Sequence, residues 1–212
     1  MAFLLDSSNK STTNAWSQIL TYTNSLIARY NINSNCVRVA VITYSDSAVV
    51  SIQLNQYGDR NSLQQAVLRL NLLNGGSNLA NAMNLLSTQV FTSTNIRTGA
   101  GLIAIVVTDQ LQSSQQLTTA VDNVKSQNVR IIAVGITGPG RVNQNVLQGI
   151  YTDNYAVTVN DYNQLDTTAN MVALQWGCVQ PPEPTPSAPE QRTHYFMCNL
   201  LFLYETLNTE HQ

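Results

Sequence analysis

The chain has 212 residues, enough for one well-buried domain and a short appendage, and its 43% hydrophobic content suits a packed interior. Charged residues make up only 10%, against roughly a quarter in ordinary soluble domains, with Asn, Gln, Ser and Thr in their place. The net charge of −2, with ten scattered Lys and Arg, argues against a nucleic-acid or polybasic membrane surface, and no run approaches the roughly 20 apolar residues of a membrane span.

Met1-Ala2-Phe3-Leu4-Leu5 has no cationic leader and is too short for a signal peptide. It reads as a first strand over 3–5 with its beginning missing, as in a fragment, and it runs into Asp6-Ser7-Ser8-Asn9-Lys10. Trp16, Ile19, Leu20, Tyr22, Leu26, Ile27 and Tyr30 then recur at helical spacing. A second strand is predicted over 37–44. After Ser45-Asp46-Ser47 a strand over 48–54 returns as a hairpin partner, antiparallel at an edge. Leu63, Ala66, Val67 and Leu70 predict a helix, and Gly75-Gly76-Ser77-Asn78 is a turn opening another through Leu79, Ala82, Met83 and Leu86. A strand over 101–108 delivers Asp109. Leu117, Ala120, Val121 and Val124 make the next helix, followed by strands over 129–135 and 155–159. Gly138-Pro139-Gly140 is only a turn. Leu165, Thr168, Ala169, Val172 and Trp176 close the pattern as a last helix.

This alternation predicts an α/β fold: a doubly wound, mostly parallel six-stranded sheet with one antiparallel edge strand and helices on both faces. Ligand sites then gather at the carboxyl ends of the strands. The domain is expected over 1–178. Prolines mark 179–190 as a stiff linker. Residues 191–212 form an apolar tail, helical or disordered, that is too short to cross a bilayer.

Asp6, Ser8, Ser77 and Asp109 fall where such a sheet collects its loops. Two carboxylates and two hydroxyls make an all-oxygen set of the kind preferred by Mg²⁺ or Mn²⁺ over zinc. Here the sequence resembles the von Willebrand factor type A family. Phe3-Leu4-Leu5-Asp6-Ser7-Ser8 is similar to its first strand and Asp-x-Ser-x-Ser loop, and Val37 to Ser45 to its second strand. Gly75-Gly76-Ser77-Asn78 is similar to its Gly-Gly-Thr-Asn segment, and Val107-Thr108-Asp109 to its Thr-Asp step. The resemblance spans about residues 2 to 178 and is nearest the extracellular-matrix type, as in collagen VI and matrilin modules and molluscan shell or byssal thread matrix proteins.

The resemblance implies a metal-ion-dependent adhesion site (MIDAS) in which Asp6, Ser8, Ser77 and Asp109 hold Mg²⁺ or Mn²⁺ and a partner's acidic group completes the coordination. Ser77 keeps the hydroxyl of the usual Thr. Lys10 departs from the pattern, which carries a second Ser there. Either Lys10 swings to solvent and leaves a weaker site, or its ammonium lies between Asp6 and Asp109 and replaces the ion. The alternative for the two aspartates is a hydrogen-bonded cluster closing the top of the sheet. Asn9-Lys10-Ser11 is also an N-glycosylation sequon.

Cys36 and Cys178 fall at the end of the sheet opposite these residues, so a Cys36–Cys178 disulfide is the expectation and two buried thiols the alternative. Cys198 is left unpaired or available to another chain. Both histidines, His194 and His211, lie beyond the linker, so no Ser-His-Asp or Cys-His set forms inside the domain. Asp46, Asp59 and Asp153 read as turn residues or helix caps. Trp16 and Trp176 read as core, while Tyr44, Tyr57 and Tyr151 are candidates for a contact rim.

The expected function is extracellular: adhesion to a matrix protein, plausibly collagen-like, without catalysis. The alternatives are a self-associating component of an extracellular or biomineral matrix and, distantly, a Mg-dependent hydrolase.

Overall fold

The computed structural model describes residues 1–8, 12–138, 141–142, 144–153 and 155–173. Six strands form one sheet: β1 (Ala2–Asp6), β2 (Ala40–Tyr44), β3 (Ala48–Ile52), β4 (Leu102–Thr108), β5 (Val129–Ile136) and β6 (Ala156–Val159). They lie in the order β3-β2-β1-β4-β5-β6, all parallel except β3, which pairs antiparallel with β2. This is the predicted doubly wound sheet with its antiparallel edge.

The central strands are buried on both faces, which is why they read as unbroken apolar runs. Alternation still decides which face each side chain meets. Phe3 and Leu5 of β1 pack with Ile105 and Val107 of β4 into one core. Ala2 and Leu4 pack with Ala104 and Val106 into the other. On the first face lie α1 (Thr13–Ile27), α2 (Arg60–Leu68) and α6 (Ala169–Ala173). On the second lie α3 (Leu79–Leu85), α4 (Gln115–Ser126) and α5 (Gln144–Gln148). Trp16 is core, as expected, and its indole N–H donates to the Leu70 carbonyl at 2.9 Å.

Short polar side chains start the helices by accepting backbone N–H groups that the first turn leaves unpaired. Thr12 caps α1, Asp59 α2, Asn78 α3 and Ser114 α4. Asp59 is thus a helix cap, as read from the sequence. Asp153 takes a left-handed turn at φ 53° and pairs loosely with Arg130 at 3.7 Å.

Local chemistry explains where element boundaries depart from the periodicity. After α3 the helix widens into a π turn over Leu86–Val90, where the Ser87 and Thr88 hydroxyls both draw on the Asn84 carbonyl, at 3.1 and 2.6 Å. The last predicted helix begins as a 3-10 turn, Tyr162–Thr168, before α6. There the Thr168 hydroxyl is held by the Leu165 carbonyl and the Tyr22 hydroxyl, at 2.8 and 3.0 Å. The β2 ladder starts at Ala40 rather than 37 because its partner β1 begins at Ala2. Trp176, Cys178, the linker 179–190 and the tail 191–212 lie outside the described residues.

Candidate functional site

In the strand order, β1 and β4 are the neighbours at which the winding reverses. Such a switch point opens a crevice beyond the carboxyl ends of the strands. The register pairs Leu5 with Val107, so the next residues, Asp6 and Thr108, stand side by side at that crevice. Asp6 ends β1 and Asp109 follows β4; both are buried, at 0% and 1% exposure.

Asp6 is the hub. Its Oδ1 accepts the backbone N–H of Ser8 at 3.1 Å, a turn typical of Asp followed two residues later by a free amide. Its Oδ2 accepts the hydroxyls of Ser77 and Thr108, each at 2.8 Å. Both hydroxyls also reach the Gln110 carbonyl, at 3.3 and 2.6 Å. Asp109 is held from another direction, its Oδ2 accepting the Tyr162 hydroxyl at 2.6 Å. Ser7 braces the loop below: its amide extends the ladder to Tyr44, and its carbonyl and hydroxyl accept the amides of Asn74 and Leu73.

Asp6, Ser77 and the backbone of Ser8 thus meet through direct hydrogen bonds, and Asp109 lies close enough to Asp6 for its charge to act on it. Burial, together with the neighbouring Asp109, pushes the Asp6 carboxyl from 3.8 up to about 6, against the three hydrogen bonds that favour its ionised form. Among the described residues, Asp109 Oδ1 is buried without a partner, while Ser8 Oγ and Tyr44 Oη make no well-aligned hydrogen bond but lie near enough to interact, the first with Asp6 and the second with Ser77 and Thr108. Tyr44 is fully buried rather than part of a contact rim, which corrects the sequence reading. Its own burial, and beyond that the charges of Asp6 and Asp109, raise its phenol well above the usual range.

The donor chemistry suits a hard divalent cation. A buried oxygen with no donor is costly, and among the described residues Asp109 Oδ1, one of the predicted ligands, is such an atom. Two neighbouring carboxylates in a dry crevice also repel each other unless a cation or proton intervenes. Among the described residues no group of three or more His, Cys, Asp or Glu gathers, so hydroxyls have to complete any such coordination. Lys10 and Asn9 lie outside the described residues.

Thr108, Tyr162 and Asp46 are not among the site residues expected from the sequence. Thr108 stood inside the quoted Thr-Asp step and was legible as a hydroxyl at a strand end. Tyr162 carries no spacing signal, being far along the chain from Asp109. Asp46 was read as a turn residue; it occupies the β2–β3 turn, and its Oδ1 also accepts the amide of Gly76 at 2.8 Å.

The family model of the von Willebrand factor type A domain matches residues 1–170. Mouse matrilin-3 is 27% identical over 143 residues, covering 64% of this chain and 29% of that protein. The human collagen alpha-6(VI) chain is 22% identical over 173 residues, covering 81% of this chain and 8% of that protein. The chain therefore spans less than a third of the length of either relative. Proximal thread matrix protein 1 from the mussel byssus shares the fold at a TM-score of 0.75 and 19% identity, over 84% of this chain and 46% of that one. The same mussel protein solved with a zinc-occupied MIDAS motif superposes at a TM-score of 0.73, with 17% identity over 81% of this chain and 46% of that one.

Proposed function

Because this chain belongs to the von Willebrand factor type A domain family, we propose that it is an extracellular adhesion module that engages a matrix protein of collagen-like character at the carboxyl-end crevice. Asp6, Ser8, Ser77 and Asp109 are the residues we assign to a divalent cation there. The observation that carries this reading is Asp109 Oδ1, buried without a hydrogen-bond partner among the described residues, beside a carboxylate that burial disfavours in its ionised form. When bound, Mg²⁺ or Mn²⁺ supplies a coordination position for an acidic side chain of the partner. Lys10, in place of the family's second Ser, removes one hydroxyl and adds a positive charge, which weakens cation binding. Retention on immobilised collagen with and without EDTA tests the reading: retention that EDTA abolishes supports it, and no retention in either condition discards it.

A second reading, a self-associating matrix component, is favoured by the edge of the sheet. Among the described residues β3 pairs on one side only, and Ser47 through Gly58 carry no charged residue. Charges on an edge strand are a common protection against pairing with another chain, and this edge lacks them. Sedimentation across a concentration series decides, since a strict monomer with and without cations removes this reading.

We read the module as a binder rather than an enzyme. In support, both Asp6 oxygens and one Asp109 oxygen are engaged by the protein's own donors, and no histidine stands among the described residues. A hydrolase screen with Mg²⁺ present is expected to be blank. We also assign Cys36 to a disulfide with Cys178. The half-buried position of Cys36 before β2 and its disulfide-bonded state support this.

A further inference from the structure

We propose that Asp46 is a positioning residue for the cation crevice: its carboxylate latches the Gly75-Gly76 turn and thereby places the Ser77 hydroxyl against Asp6. The proposal rests on the cation reading above and adds to it a residue from outside the four assigned ligands.

Three hydrogen bonds tie the β2–β3 turn to the segment that carries Ser77. The Ser45 carbonyl accepts the Asn78 amide at 2.8 Å, Asp46 Oδ1 accepts the Gly76 amide at 2.8 Å, and the Asp46 carbonyl accepts the Asn81 side-chain amide at 3.1 Å. The segment is pinned at its start too, where Ser7 accepts the amides of Leu73 and Asn74 at 3.2 and 2.9 Å. Between the two anchors the chain reverses through consecutive left-handed residues, Asn74 at φ 61° and Gly75 at φ 98°. Ser77 emerges from that reversal with its hydroxyl 2.8 Å from Asp6. The bond from the Gly76 amide to the Asp46 carboxylate is a side-chain anchor next to the proposed ligand.

Gly76 gives the independent observation. Its φ lies outside the left-handed region, so its backbone alone does not call for glycine. A Cβ at 76 would meet only Asp46, with Oδ1 at 2.6 Å and Cγ at 3.7 Å. A Cβ at 76 would therefore push the Asp46 carboxylate away from the turn. Gly75 differs, because its positive φ strains any other residue whatever the space.

The test uses Asp46→Ala, Asp46→Asn, Gly76→Ala and the Asp46→Ala/Gly76→Ala double variant, in the parent and in a Lys10→Ser background. Mn²⁺ affinity is read by calorimetry, and hydrogen exchange of the Gly76 amide is read in EDTA. Asp46→Ala is expected to lose the amide protection and to weaken Mn²⁺ by roughly tenfold, the scale of one charge-assisted hydrogen bond. Asp46→Asn keeps an acceptor oxygen and retains both. Gly76→Ala alone weakens Mn²⁺, while the double variant is no worse than Asp46→Ala because the obstructing carboxylate is gone. Asp46→Asn as weak as Asp46→Ala would assign the effect to charge and overturn the latch. So would additive losses in the double variant, or undiminished affinity in Asp46→Ala. If no protein takes up Mn²⁺, the cation reading fails on its own. The exchange data then judge the latch, which stands if Asp46→Ala alone of the two Asp46 variants exposes the Gly76 amide and falls if neither does.

Discussion

The Tyr162 hydroxyl donates to Oδ2 of Asp109 at 2.6 Å and so joins the turn after β6 to the end of β4. Both residues are buried, and the tyrosine ring is itself covered by the Arg141 guanidinium, 4.6 Å from its centroid. The bond commits one oxygen of Asp109, and the other, Oδ1, has no hydrogen-bond partner among the described residues.

Removing this hydroxyl strands a second oxygen of a buried carboxylate. Tyr162→Phe is therefore expected to cost about 1–3 kcal/mol of stability, the usual penalty for an orphaned buried polar group. Urea midpoints at fixed slope measure it, and an unchanged midpoint would show that the bond carries no net energy.

Ser77 separates hydroxyl chemistry from shape. Ser77→Ala removes the donor to Asp6 and a proposed ligand together, and is expected to weaken Mn²⁺ by roughly tenfold or more. Ser77→Thr keeps the hydroxyl and is expected to bind as the parent does. Calorimetry on the pair checks this, and equal affinities in the Ala and Thr variants would remove Ser77 from the site.

The raised Asp6 carboxyl gives a pH window. With a folded-state value of about 6 against an ordinary 3.8, the cation-free protein gains stability from protonated Asp6 below about pH 4 and loses it as pH rises through 6. A cation needs the ionised form, so proton and cation compete. The melting-temperature difference between Mn²⁺ and EDTA is expected to grow from pH 4.5 to 6.5 and level off above. Asp6→Asn should abolish that slope, and a difference independent of pH in the parent would contradict the assignment.

Much of this was legible from the sequence, for reasons that differ by element. Phe3-Leu4-Leu5 and residues 103–107 announced buried parallel strands because both of their faces are covered, and the hairpin spacing of Ser45-Asp46-Ser47 announced the antiparallel edge. Asp6, Ser77 and Asp109 were legible because a doubly wound sheet delivers strand ends to one crevice. What was hidden depends on three-dimensional meeting without sequence spacing. Tyr162 reaches Asp109 across 53 residues and Asp46 reaches Gly76 across 30, and no periodicity records either approach. Tyr44 looked like a rim aromatic because it ends a strand, yet it is fully buried in the core it shares with α3. The five-residue α5 shows too few apolar positions to establish a helical period.

The proposed Cys36–Cys178 bridge closes a long loop, so its loss acts chiefly on the unfolded chain. Cys36→Ser is expected to lower stability by about 2–4 kcal/mol under oxidising conditions and to match the parent under reducing ones. Denaturation with and without reductant measures this, and equal stability of the two proteins in oxidising buffer would rule out a structural role for the bridge.

The account depends above all on a cation entering the crevice beside Asp6 and Asp109. Calorimetric titration of the parent and Lys10→Ser with Mg²⁺ and Mn²⁺ tests this most directly. Weak heats from the parent and a clear isotherm, tighter by roughly tenfold or more, from Lys10→Ser are the predicted result. No heat from either protein with either ion would contradict it.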